Sequence, residues 1–88
     1  MVIAIGLWPS AAGELESMNR EFEGIYQVAK KRYNLYYTVN YKLDSCVLRI
    51  FRDGNLVILV NEETQERMYD LAAERLKSYV KMNEKNHA

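Results

Sequence analysis

The feature that most constrains this chain is a change in its hydrophobic period near residue 34. Before it, apolar residues recur every three or four positions, which is typical of one face of a helix. From Asn34 to Leu43 they alternate with polar residues, which is typical of a strand with one buried face. The helical set is Leu15, Met18, Phe22, Ile25, Tyr26, Ala29 and Tyr33. We therefore predict a helix from an N-cap at Ser10 to about Arg32, followed directly by a strand.

Two turn signals divide the next segment into strands. Asp44-Ser45 is a plausible two-residue turn, and Asp53-Gly54 favours a type I′ hairpin because both residues tolerate positive φ. The predicted second and third strands are Cys46 to Arg52 and Leu56 to Val60. Pairing across the first turn sets Leu43 opposite Cys46, Tyr41 opposite Leu48, and Val39 opposite Ile50.

A second helical stripe follows the third strand. We expect Asn61 to cap this helix and Glu63 to pair with Arg67 one turn later. Its apolar stripe is Met68, Leu71, Ala72, Leu76, Tyr79 and Val80. The polar tail from Asn83 to Ala88 is expected to fray.

The predicted fold is α+β, in the order αβββα. Residues 1–88 form one domain, in which a three-stranded antiparallel meander carries both helices on one face. Residues 1–12 are the uncertain part. Val2 to Leu7 is either an extra N-terminal strand, or not native structure, because Met18 is an alternative start for the chain.

The sheet face opposite the helices, here called the far face, is unexpectedly apolar. An exposed antiparallel face is normally polar, and contiguous apolar patches usually mark interaction sites. With a simple turn at Asp53-Gly54, Phe51 pairs with Leu56 and Val47 with Val60, all pointing away from the helices, as does Ile58. The third strand is also an apolar sheet edge, which invites pairing. The predicted protein-binding residues are Tyr36, Val47, Arg49, Phe51, Leu56, Ile58 and Val60.

Three occupants compete for this far face and edge. The segment from Val2 to Leu7 covers them in one interpretation. A second copy of the chain covers them in another, giving a homodimer. In the third, a different protein binds there.

The sequence contains no recognisable catalytic set, which argues against an enzyme. His87 lies near the end of the tail, and Cys46 begins a strand on the core face, where a single cysteine acts as a small hydrophobe. No partners for a zinc site or a Cys–His nucleophile are present, so no metal or cofactor is expected. The lone cysteine also suggests a reducing, cytoplasmic location, and no apolar run is long enough to span a membrane.

A nucleic-acid-binding domain is the alternative function. Cations interleaved with aromatics near the end of the first helix and along the first strand suit phosphate contact and base stacking. The residues concerned are Lys30, Lys31, Arg32, Lys42 and Arg49. The element order resembles that of the double-stranded-RNA-binding domain, which has a basic cluster at the start of its second helix. Here the matching stretch is Glu62 to Glu66, rich in glutamate, and it would repel phosphate. The formal net charge of zero also favours a different partner.

The leading hypothesis is therefore a non-enzymatic protein-binding module. Small αβββα proteins often serve as inhibitors or regulators of a larger protein, and phage-type inhibitors such as anti-CRISPR proteins are of this kind. The comparison is one of size and element order alone.

Overall fold

The computed structural model describes residues 19–87 of the chain, with side chains through Lys85. Helix α1 (Arg20–Tyr33) is followed by strands β1 (Leu35–Lys42), β2 (Ser45–Arg52) and β3 (Asn55–Glu62), and then by helix α2 (Gln65–His87). The strands form one antiparallel sheet in the order β1-β2-β3. The predicted αβββα order and three-stranded meander are confirmed. The predicted N-terminal strand and the alternative start at Met18 lie outside the described residues.

Helix α1 begins at Arg20, so a helix running unbroken from Ser10 is wrong. Asn19 has extended backbone, and its side-chain oxygen accepts the Phe22 amide proton at 2.8 Å. This bond satisfies one of the amides that a helix start leaves free, which makes asparagine a strong N-cap. At the other end, Asn34 adopts the left-handed conformation and its amide bonds the Lys30 carbonyl. Leu15 and Met18 lie outside the described residues.

Both helices pack on one face of the sheet and enclose a single core. The largest fully buried side chains are those of Phe22, Leu48, Ile50, Val60, Met68 and Leu76. They come from α1, β2, β3 and α2, so every layer contributes to the same cluster. Truncating one such side chain to alanine typically costs about 2–5 kcal/mol. Cys46 is buried with a free thiol at the start of β2, as predicted.

The first hairpin differs from the predicted pairing by two residues. Tyr41 pairs with Cys46 rather than Leu48, and Leu43-Asp44 form the turn instead of Asp44-Ser45. A shift of two residues keeps each side chain on its original face, because strand side chains alternate. Val39 therefore still packs on the core, whereas Leu43 is fully exposed in the turn.

Helix α2 begins later than predicted. The Thr64 hydroxyl accepts the Arg67 amide proton at 3.2 Å and serves as the cap, while Asn61 remains in β3. Arg67 pairs with Glu62, not with Glu63. The helix continues to His87, and the fraying predicted for the tail from Asn83 to Ala88 stays a prediction. Asn83 accepts a hydrogen bond from Arg52, which ties this turn of the helix to the sheet.

Candidate functional site

The composition of the far face is determined by a bulge in β3. Phe51 pairs with Leu56, but the preceding residue, Ile50, pairs with Ile58, so Val57 has no partner. One extra residue on a strand reverses which face every later side chain takes. Ile58 and Val60 therefore point into the core, with exposures of only 7% and 1%. The prediction that they lie on the far face is wrong.

Leu59 replaces them, with 47% of its surface exposed. The sequence contains no signal for this exchange. Every residue from Leu56 to Val60 is apolar, so a period of two cannot show which alternate set faces the core.

The far face is arranged in three rows across the strands. The row nearest the Asp53-Gly54 turn is apolar throughout, the next carries a cation, and the third places an apolar side chain between two amides. In that order, the rows are Tyr36–Phe51–Leu56, Thr38–Arg49–Leu59 and Asn40–Val47–Asn61.

The first row and Leu59 form what we call the far-face patch: Tyr36, Phe51, Leu56 and Leu59. The Tyr36 and Phe51 rings stack nearly parallel, with centroids 4.9 Å apart and an interplanar angle of 13°. Tyr36 and Leu56 are each about half exposed. Stacking fixes both rings in place, so the patch presents an ordered apolar surface to solvent.

Arg49 stands beside this patch and is held by a hydrogen bond. Its guanidinium donates to the Asn40 side-chain oxygen at 2.9 Å. Val47, also predicted for this face, is buried although it lies outside the main core cluster. Of the predicted protein-binding residues, the structure thus brings together Tyr36, Arg49, Phe51 and Leu56, and leaves Val47 covered.

The β3 edge is less available than the sequence suggests. β3 is an edge strand, as predicted. However, Arg75 of α2 donates a hydrogen bond to the outward carbonyl of Leu59 at 2.9 Å. A charged side chain on an edge carbonyl hinders pairing with another strand. The face of the sheet is therefore a better binding surface than its edge.

The residues predicted for nucleic-acid binding do not form one surface. The Lys30 ammonium lies 5.7 Å from the Tyr26 ring centroid, in the helix layer, and Arg32 is ion-paired with Glu84. Arg49 lies on the opposite, far face. Lys42 lies at the end of β1 that is remote from the C-terminus of α1, about 23 Å from Leu35 along the strand. Lys31 is exposed near the end of α1.

Among residues 19–87, no group of His, Cys, Asp and Glu side chains is placed to hold a metal ion. Neither α1 nor α2 has the length and apolar character needed to cross a bilayer.

The far-face patch is thus a surface feature that the packing of the domain leaves unexplained. Apolar groups of this size are ordinarily buried, whereas Tyr36, Leu56 and Leu59 are each about half exposed and Phe51 is only partly buried. No protein-family model, curated protein sequence or solved structure matches the chain.

Proposed function

We propose that this protein is a non-enzymatic binding module that inhibits or regulates a larger protein through the far-face patch. The observation that carries the proposal is the stacked pair of the half-exposed Tyr36 and the partly buried Phe51, continuous with Leu56 and Leu59. Burying such a surface against a partner is favourable by roughly 25 cal/mol per Å² of apolar area.

The composition of the patch resembles the centre of a protein interface. Aromatic residues and arginine are enriched among the side chains that dominate binding energy. Here Arg49, already oriented by Asn40, lies next to two ordered rings. Because these side chains are held in place before binding, they would lose little conformational entropy when a partner contacts them.

A small domain with an exposed apolar face binds a larger protein by covering part of its surface. Covering that surface blocks or changes what the larger protein does, which is how an inhibitor or regulator works. The free thiol of Cys46, the single cysteine in the sequence, supports a reducing and therefore cytoplasmic setting.

The test is affinity capture of the tagged chain from a lysate of its source, with and without nuclease. Leu59→Asp places a charge in the patch, and Leu43→Asp is the matched control because Leu43 is fully exposed in the β1–β2 turn. We expect one stoichiometric protein that survives nuclease, is lost with Leu59→Asp and is kept with Leu43→Asp. Equal capture by both variants would contradict the proposal.

Two other outcomes would assign a different partner to the protein. If the captured material disappears on nuclease treatment, nucleic acid is the partner and the basic residues become the candidate site. If the purified chain is a dimer that Leu59→Asp dissociates, the patch binds a second copy. Ile58→Asp is not a suitable probe, because Ile58 lies in the core and its substitution should unfold the domain.

A further inference from the structure

A second surface lies on the opposite side of the molecule, between the two helices. α1 and α2 run parallel, since Asn19 at the start of α1 bonds Asp70 and Arg32 near its end pairs with Glu84. Between them is an open groove of about 350 Å³. Its apolar floor is formed by Ile25, Val28, Ala29, Tyr33 and Val80. Val28 lies in the middle of α1, and 68% of its surface is exposed to solvent.

The rim of this groove is mainly cationic. Arg32, Lys77 and Lys81 line it together with one carboxylate, that of Glu84. Glu84 is paired with Arg32, and Lys77 with Glu21. Among the described residues, Lys81 has no ion-pair partner, so the rim keeps an excess of positive charge.

The lysines on α2 also repeat along one face. Lys77, Lys81 and Lys85 are each separated by four residues, so they stack above one another. Like charges at this spacing destabilise a helix by a few tenths of a kcal/mol per pair. Lys85 lies in the last turn of α2, where the helix dipole favours a cation, but Lys77 and Lys81 lie more than one turn from the end of the helix. An anionic ligand beside these two lysines would account for their positions.

We infer that this groove binds an acidic amphipathic helix of a partner protein. The floor from Ile25 to Tyr33 is about 12 Å long, or a little over two helical turns. A helix laid there would place apolar residues at i, i+3 or i+4, and i+7 against Val28 and Val80, with carboxylates facing Lys81 and Lys77.

A helix fits better than an extended strand for a backbone reason. The walls of the groove are helices, whose backbone groups are already bonded internally, so they have no free ladder to pair with a strand. An extended peptide would leave its own amides and carbonyls without partners on the apolar floor. A helix satisfies its backbone internally.

The test is selection of helix-biased displayed peptides, about four turns long, against the full chain at physiological salt. Enriched peptides should carry apolar residues at positions i, i+3 or i+4, and i+7, with acidic residues flanking this apolar stripe. Their affinity should fall about tenfold or more with Val28→Asp or Lys81→Glu and be unchanged with Leu59→Asp on the far face. Val28 and Lys81 are surface positions, so both variants should keep the helix content of the parent chain in circular dichroism.

A charge exchange makes the test specific. A selected peptide whose acidic residue is replaced by lysine should bind weakly to the parent chain and regain affinity for Lys81→Glu. The inference is overturned if no peptide is enriched, if enriched peptides lack acidic residues, or if binding is lost with Leu59→Asp and kept with Val28→Asp. That last result would support the far-face proposal alone.

Discussion

Among the described residues, Tyr33 has a buried side-chain oxygen, that of its hydroxyl, which lacks a hydrogen-bond partner. The ring itself is well packed: the Arg52 guanidinium lies 5.0 Å from its centroid, and the edge of Tyr79 meets it at 6.0 Å. Arg52 in turn donates to the Tyr79 hydroxyl at 2.9 Å. The ring of Tyr33 therefore stabilises the domain while its oxygen does not.

Replacing Tyr33 with phenylalanine should therefore stabilise the protein. The change keeps the ring and removes a buried oxygen that has lost its water without gaining a hydrogen bond. We therefore expect the free energy of unfolding, measured in urea, to rise by about 1 kcal/mol. Tyr79→Phe is the matched control, because it removes the acceptor for Arg52 and should lower that free energy by about the same amount. A loss of stability in Tyr33→Phe would mean that the hydroxyl has a partner.

At the scale of elements, the Asp53-Gly54 turn was predictable, whereas the β1–β2 turn and the strand pairing beyond the bulge were not. Asp53 and Gly54 adopt φ of 53° and 85°, as the Asp-Gly pair predicts for a type I′ turn. Tyr36, Phe51 and Leu56 lie next to this turn and were assigned to the correct face. The bulge at Val57 has no local signal, so Leu59 was missed and Ile58 misplaced. It follows that the candidate site was predictable only where the turn fixes the pairing.

The two described glycines should respond oppositely to alanine. Gly54→Ala forces a Cβ into a positive-φ position and should cost about 1 kcal/mol or more of unfolding free energy. Gly24 lies inside α1 with nothing within 4 Å of the added Cβ, so Gly24→Ala should add about 0.5–1 kcal/mol. Thermal and urea unfolding of both variants test this. Equal effects of the same sign would contradict the turn geometry.

At the scale of the whole molecule, an aromatic cluster joins the layers. The Phe22 ring of α1 contacts Tyr37 of β1 and Tyr69 of α2, with centroids 5.2 and 5.5 Å away. Burial raises the pKa of the Tyr69 phenol well above its usual range, and a hydrogen bond with Tyr41 adds to the effect. The pKa of Tyr37 is raised mainly by burial and then by the charge of Glu23. Ionisation of these phenols therefore opposes the packing that holds both helices to the sheet.

The domain should consequently lose stability in alkali. A phenol with a higher pKa in the folded state keeps its proton after the unfolded chain has lost it, above about pH 10. Unfolding then releases protons, so the free energy of unfolding falls as pH rises; below about pH 9 these groups contribute no slope. Urea unfolding from about pH 8 to about pH 11 measures the decline. Because lysines titrate in the same range, the diagnostic is the comparison with Tyr69→Phe, which should decline less steeply. Parallel curves for the two proteins would show that Tyr69 ionises as readily in the folded domain as in the unfolded chain, and that the cluster is open to water.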